Sequence, residues 1–125
     1  MTQKREIYKC NSCGNVVEVV HLGVGELVCC GQPMVKMDEK SQEEGLTEKH
    51  LPLAEADGQK IKVKIGAVPH PMVAEHFIEW IEIETANECL LKFLKPGDKP
   101  ETEFELSEAN FQVRAYCNIH GLWKK

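Results

Sequence analysis

Cys10, Cys13, Cys29 and Cys30 fall close together at the start of the chain, and that crowding limits what this end can fold into. A segment below ~40 residues buries too little apolar surface to fold alone and is normally stapled by a metal or by disulfides. Gly14, Gly23, Gly25 and Gly31 punctuate short β-prone runs, NVVEVV and ELVCC, around these cysteines. A C-x-x-C pair and an adjacent pair, brought together by turns, offer four thiolates to tetrahedral zinc or iron. Successive strand residues point to opposite faces, so Cys29 and Cys30 can share one ion only where the backbone bends between them. The spacing predicts a four-thiolate site without naming its metal. A disulfide framework would need an oxidising compartment. The N-terminus MTQKREIYKC has no apolar run behind Lys4 and Arg5, so the expected location is cytoplasmic and metal ligation is the expected use of the thiols.

The rest of the composition narrows the function classes. Of the 125 residues, 42% are hydrophobic and 28% charged, as in a soluble globular protein. No apolar run approaches the ~20 residues that span a bilayer, so no membrane partner is expected. The net charge is −5 with scattered lysines, which argues against a nucleic-acid partner. An anionic substrate would need a local positive site, such as a metal beside a lysine.

The chain divides by composition into a four-cysteine domain over 1–37, a polar linker over 38–46 and a second domain over 47–125. The second domain reads as β throughout. Ile61, Val63 and Ile65 alternate with lysines in KIKVKI, the period of a half-buried strand, and Asp57-Gly58 marks a hairpin. Further β-rich runs, HFIEWIEIE, ECLLKFL, TEFELS and NFQVRAYC, are separated by turn residues including Pro96-Gly97 and Pro100. With no helical pattern among them, the expected fold is all-β, an antiparallel sandwich or barrel.

A second set of metal-ligating residue types lies in this domain: His50, His70, His76, Cys117 and His120. All sit at predicted strand ends or loops, where sites are built on a rigid scaffold. Taken singly, a histidine in a β domain is an ordinary surface or core residue, and a lone cysteine a small hydrophobe. Together, four neutral imidazoles and one thiolate form a five-donor set that leaves a position open, which points to reactive iron rather than to closed four-coordinate zinc. Fe²⁺ with these donors carries a charge of about +1 and attracts a small anion, while the thiolate donates electron density.

At this point the residues match a known pattern. YKCNSCGNVVEV and GELVCCGQPM resemble the desulforedoxin-type iron domain. TEKHLP, GAVPHPMVAEHFIEWIE, FLKPGD and YCNIHGLW resemble the reductase domain of the desulfoferrodoxin family. The resemblance spans essentially the whole chain. It implies two iron ions: a rubredoxin-like one on Cys10, Cys13, Cys29 and Cys30, and a second with His50, His70, His76 and His120 equatorial and Cys117 axial. It implies an immunoglobulin-like sandwich, a homodimer, and superoxide reduction to hydrogen peroxide without dioxygen as product, an antioxidant defence fed by an external donor such as a rubredoxin-like protein or a reductase. Lys49 is implied to lie over the open iron position, attracting superoxide and aiding protonation, and Glu48 to move onto oxidised iron. The alternative is a rubredoxin-like electron-transfer protein without substrate chemistry.

One residue departs from the pattern. Many family members have glutamate two residues before the axial cysteine, where this chain has Ala115. Strand residues two apart share a face, so Ala115 is expected on the side of Cys117, where a side chain would tune the iron–sulfur bond. His21 is expected to be structural or exposed, Cys89 a free thiol, Met72 a packing residue, and Trp80 and Trp123 core residues.

Overall fold

A computed structural model describes all residues, 1–125. It separates into two compact units, Met1–Asp38 and Glu39–Lys125.

In the first unit, β1 (Ile7–Lys9) lies between β2 (Val16–Glu18) and β5 (Val35–Lys36), and β3 (Val28–Cys29) pairs with β4 (Gln32–Pro33). Only Thr2, Ile7, Cys10 and Val19 are buried, which is little for a folded unit and leaves stability to whatever joins the thiols. Cys29 opposes Gln32, so Cys30-Gly31 is a two-residue loop. Both residues have positive φ, 54° and 71°, the backbone of a type I′ turn. Glycine adopts this conformation freely, whereas Cys30 does so at a cost of about 1–2 kcal/mol. The reversal is the bend that adjacent cysteines require.

The second unit is a sandwich of two antiparallel sheets. It begins with a single helical turn, α1 (Thr47–His50), where the sequence had predicted no helix; one turn is too short to show a helical period. Seven strands follow: β6 (Pro52–Asp57), β7 (Lys60–Ile65), β8 (Ile78–Glu84), β9 (Cys89–Phe93), β10 (Glu101–Glu105), β11 (Gln112–Cys117) and β12 (Gly121–Lys124). One sheet has the order β10-β7-β6 and the other β12-β11-β8-β9. This is the all-β, immunoglobulin-like architecture expected from the sequence. The β6–β7 hairpin turns at Gly58-Gln59, one residue later than the Asp-Gly pair suggests, because Asp57 opposes Lys60 and Gly58 takes the positive φ of 64°.

Hydrophobicity fixes the register. On β7, Ile61, Val63 and Ile65 are buried and the intervening lysines exposed. Lys62 opposes acids on both neighbours, Glu55 and Glu103, and Lys64 opposes Glu101; such cross-strand pairs each contribute roughly 0.2–1 kcal/mol. Ile78, Ile81, Ile83, Val113, Ala115 and Cys117 complete the core from the other sheet. The reverse face of that sheet is buried too: Arg114 and Glu82 are directly opposite, essentially inaccessible, and joined from Arg114 Nε at 2.6 Å.

Candidate metal centres

The first cluster gathers Cys10, Cys13, Cys29 and Cys30, whose sulfurs all lie within 4.8 Å of one another. Cys13 Sγ is 3.6 Å and Cys30 Sγ 4.0 Å from Cys29 Sγ. A tetrahedral ion with metal–sulfur bonds of about 2.3 Å separates its sulfurs by about 3.8 Å, so the four thiols fit one ion. The Cys10–Gly14 turn aims a main-chain N–H at sulfur: Cys13 N donates to Cys10 Sγ at 3.5 Å. That bond lowers the Cys10 thiol to about 6, while neighbouring thiols, Cys13 first, push Cys29 up to about 12. Four crowded thiols do not all ionise unaided; a cation between them relieves the repulsion.

The second cluster assembles from three separate segments. His50 ends α1, His70 and His76 stand on the bend between β7 and β8, and Cys117 and His120 flank the β11–β12 turn. His50, His76, Cys117 and His120 form a group whose donor atoms all lie within 4.8 Å of one another. His70 falls outside that mutual limit, yet its Nε2 is 3.1 Å from His50 Nε2.

The imidazoles are arranged as a square. Ring centroids are 4.5 Å apart for His50–His70, 4.7 Å for His70–His76, 5.1 Å for His76–His120 and 4.8 Å for His120–His50, each pair edge to face. The diagonal from His50 to His76 is 6.1 Å. His50 Nε2 lies 3.1 Å from His120 Nδ1 as well. Adjacent nitrogens around one ion with bonds of about 2.1 Å are separated by about 3.0 Å. Cys117 Sγ lies within 4.8 Å of donor atoms at the opposite corners His50 and His76.

Protonation separates a metal from a mere histidine cluster. His50 Nδ1 donates to Leu46 O at 2.8 Å and His70 Nδ1 to Pro71 O at 2.6 Å, since a carbonyl only accepts. Each neutral ring therefore turns the lone pair of Nε2 toward the other, an arrangement that needs a cation between them. A proton is a poor candidate, because burial lowers His50 and drives His70 down to about 4. Burial also lowers His76, with the charges of His120 and Lys49 adding to the effect, and His76 Nε2 is buried without a partner. A bound metal ion meets all of these conditions. Burial raises the Cys117 thiol, and its sulfur accepts the His120 main-chain N–H at 3.4 Å.

Glu48 and Lys49 precede His50 on α1 with exposed side chains. Gly66 seats this turn: its φ is +89°, and an added Cβ would lie 2.4 Å from Val68 O and 2.5 Å from Lys49 O. Gly66 N also donates to Leu51 O at 3.1 Å, and Val68 N to Glu48 O at 3.3 Å.

Other side chains around the cluster were less visible from sequence. Trp123, fully buried as expected, also stacks on His50 at 4.9 Å and donates Nε1 to His120 O at 3.3 Å. Asn118 ties the turn after β11 to the segment carrying His76, accepting from Phe77 N at 2.9 Å and donating to Glu75 O at 3.0 Å. Its place inside C-N-I-H was the only sequence signal. Ala115 is buried in the core with Cys117, opposite Ile81 and Trp123. Trp80 stacks on Tyr116 at 4.4 Å, Met72 packs on the core, His21 is exposed, and Cys89 Sγ donates to Glu82 at 3.3 Å.

A small tetrathiolate unit followed by a β-sandwich bearing an imidazole–thiolate cluster defines a two-centre, non-haem metalloprotein. The desulfoferrodoxin N-terminal domain model matches residues 2–37 and the desulfoferrodoxin model residues 33–125. A desulfoferrodoxin homolog of Archaeoglobus fulgidus is 53% identical, the alignment covering 99% of this chain and 98% of that protein. The desulfoferrodoxin of Nitratidesulfovibrio vulgaris is 50% identical over 99% and 98%. The crystal structure of the superoxide reductase from Treponema pallidum superposes with a TM-score of 0.76 at 27% identity, covering 100% of this chain and 99% of that one. This chain belongs to the desulfoferrodoxin family.

Proposed function

We infer that the chain is a superoxide reductase, an oxidoreductase with two iron centres that converts superoxide to hydrogen peroxide. The observation that carries this reading is the square of four imidazoles with a buried thiolate beside it, His50 Nε2 standing 3.1 Å from donor nitrogens on both neighbours. Cys10, Cys13, Cys29 and Cys30 are assigned to the first iron. His50, His70, His76, His120 and Cys117 would hold the second. When bound there, ferrous iron would supply the one electron that the reduction needs.

The protein groups do the rest. Lys49 provides the local positive charge that an anionic substrate needs in a chain of net charge −5. Its ammonium holds a proton at Nζ for the product oxygen, directly or through water. Two protons and one electron convert superoxide to hydrogen peroxide, so no dioxygen forms. The His120 N–H on Cys117 Sγ withdraws charge from the thiolate and tempers its push toward O–O cleavage. Glu48 offers a hard carboxylate suited to the ferric state.

Electrons come from an external donor, for which a rubredoxin-like protein or a reductase is the fitting class. None of the six cysteines is in a disulfide, which suits a reducing cytoplasm, and no helix is long and apolar enough to cross a membrane. A homodimer is proposed as well. Support comes from exposed apolar side chains of the first unit, Val20 at 73% and Val24 at 88%; light scattering should give twice the monomer mass. The functional test is stoichiometric. With donor in excess, one peroxide per superoxide and no dioxygen is expected. Half a peroxide with dioxygen would mean dismutation, and no superoxide consumption would leave an electron carrier.

A further inference from the structure

Two of the four imidazoles are fixed by ring hydrogen bonds, and the backbone of a third is held against the cluster. His50 and His70 each donate Nδ1 to a main-chain carbonyl, and the main-chain N–H of His120 is bonded to Cys117 Sγ. The His76 ring makes no hydrogen bond to a main-chain carbonyl, and its buried Nε2 is left to the cluster. Its main chain pairs with Val73 in both directions at 3.0 Å, but Val73 belongs to the same bend, so this fixes the bend's shape and not its placement against Cys117 and His120. Besides the strand pairing that sets Ile78 opposite Cys117, that placement runs through Asn118. Its Oδ1 accepts from Phe77 N at 2.9 Å and its Nδ2 donates to Glu75 O at 3.0 Å. Its main-chain N–H donates to Phe77 O at 3.2 Å. The residues on both sides of His76 are thus tied to one side chain, adjacent to Cys117 and two residues before His120.

We propose, on the reading of this cluster as an iron site, that Asn118 is a positioning residue whose side-chain amide sets His76 against the other ligands and governs how long the site retains its metal. Both ends of the amide are used. Alanine removes both bonds. Aspartate keeps an acceptor for Phe77 but turns a second acceptor toward the Glu75 carbonyl. Partners that orient metal ligands typically change metal affinity by about 10–100-fold when lost.

The test follows iron release from the full, iron-loaded chain into an excess of chelator, read at the thiolate-to-iron band of the oxidised second centre. The band of the four-cysteine centre is the internal control. N118A is expected to release the second iron about 10-fold faster with the control band unchanged. In an H76A background the same substitution is expected to add nothing, because Asn118 acts through His76. Should N118A fold poorly, N118D carries the same comparison, with release faster than wild type and no further effect on H76A. Release from a folded variant at the wild-type rate, or an equal acceleration with and without His76, would overturn the proposal. A wild-type chain that takes up no second iron would refute the iron-site reading itself, so the two failures are distinct.

Discussion

Two main-chain carbonyls decide which nitrogen of His50 and of His70 faces the cluster, and burial decides that both rings are neutral. Leu46 O and Pro71 O take the Nδ1 protons, and loss of hydration lowers the proton affinity of both rings, His70 from the usual 6.5 to about 4. This carries a consequence for the metal-free chain. Between those values the unfolded imidazole binds a proton that the folded one refuses, so stability rises with pH across that window. The metal-free second unit should hold this stability above about pH 6.5 and lose it progressively toward pH 4, with His50 and His76 shifted in the same direction. Urea midpoints across this range check it; a midpoint flat from pH 7 to 4 would contradict the burial. On the exposed side the relevant charge is Lys49, which already disfavours protonation of His76. Lys49→Ala should slow superoxide consumption roughly 10–100-fold at low ionic strength and flatten its salt dependence, whereas Lys49→Arg keeps most of both. Stopped-flow rates against added salt decide this, and an Ala variant with the wild-type salt slope would remove Lys49 from substrate attraction.

At the scale of elements, the site depends on one helical turn seated on one bend. The turn α1 is four residues long, too short to hold itself, and its position comes from Gly66. The left-handed φ and the contacts of 2.4–2.7 Å that a Cβ would make with backbone atoms of Val68 and Lys49 leave no room for a side chain. Gly66→Ala should therefore cost about 2 kcal/mol or more and, by displacing Lys49 and His50, lower iron content at the second centre while sparing the first. Melting midpoints and the two visible bands measure these separately; an Ala variant with full loading of both would show that the bend adapts. The same elements explain what was legible beforehand. β7 was legible because its lysines and β-branched residues alternate strictly. The proposed ligands stood out as candidates because only histidine and cysteine carry that chemistry, and they cluster at strand ends. The seat of α1 was not, since it is made by Leu51 and Lys49 carbonyls, and main-chain atoms leave no mark in residue identity. Arg114 and Glu82 were hidden for another reason: a charged residue on a strand reads as solvent-facing, and only the fold shows that this face is covered.

At the scale of the whole molecule, the two units are stabilised by different means. Glu39–Lys125 has a continuous core from Ile61 to Cys117, sufficient for a sandwich without its metal. Met1–Asp38 buries only Ile7, Cys10 and Val19 among its apolar residues, and Cys30 adds left-handed backbone strain. The ion joining four thiolates must supply most of its stability, since structural metal binding contributes on the order of 10 kcal/mol to domains of this size. Stripping both metals from the full chain under reducing conditions should therefore unfold the first unit and leave the second folded at neutral pH. Hydrogen exchange followed residue by residue would show it. Amides of Ile7–Lys9 and Val16–Glu18 should lose protection, while those of Lys60–Ile65 and Ile78–Glu84 keep it. Restoring iron should return protection to the first unit in step with its red colour. Protection of β1 and β2 that survives metal removal would mean that the small apolar cluster folds that unit unaided. Loss of protection in both units would mean that the second iron is also a structural element, and that its donor geometry exists only once the ion is bound.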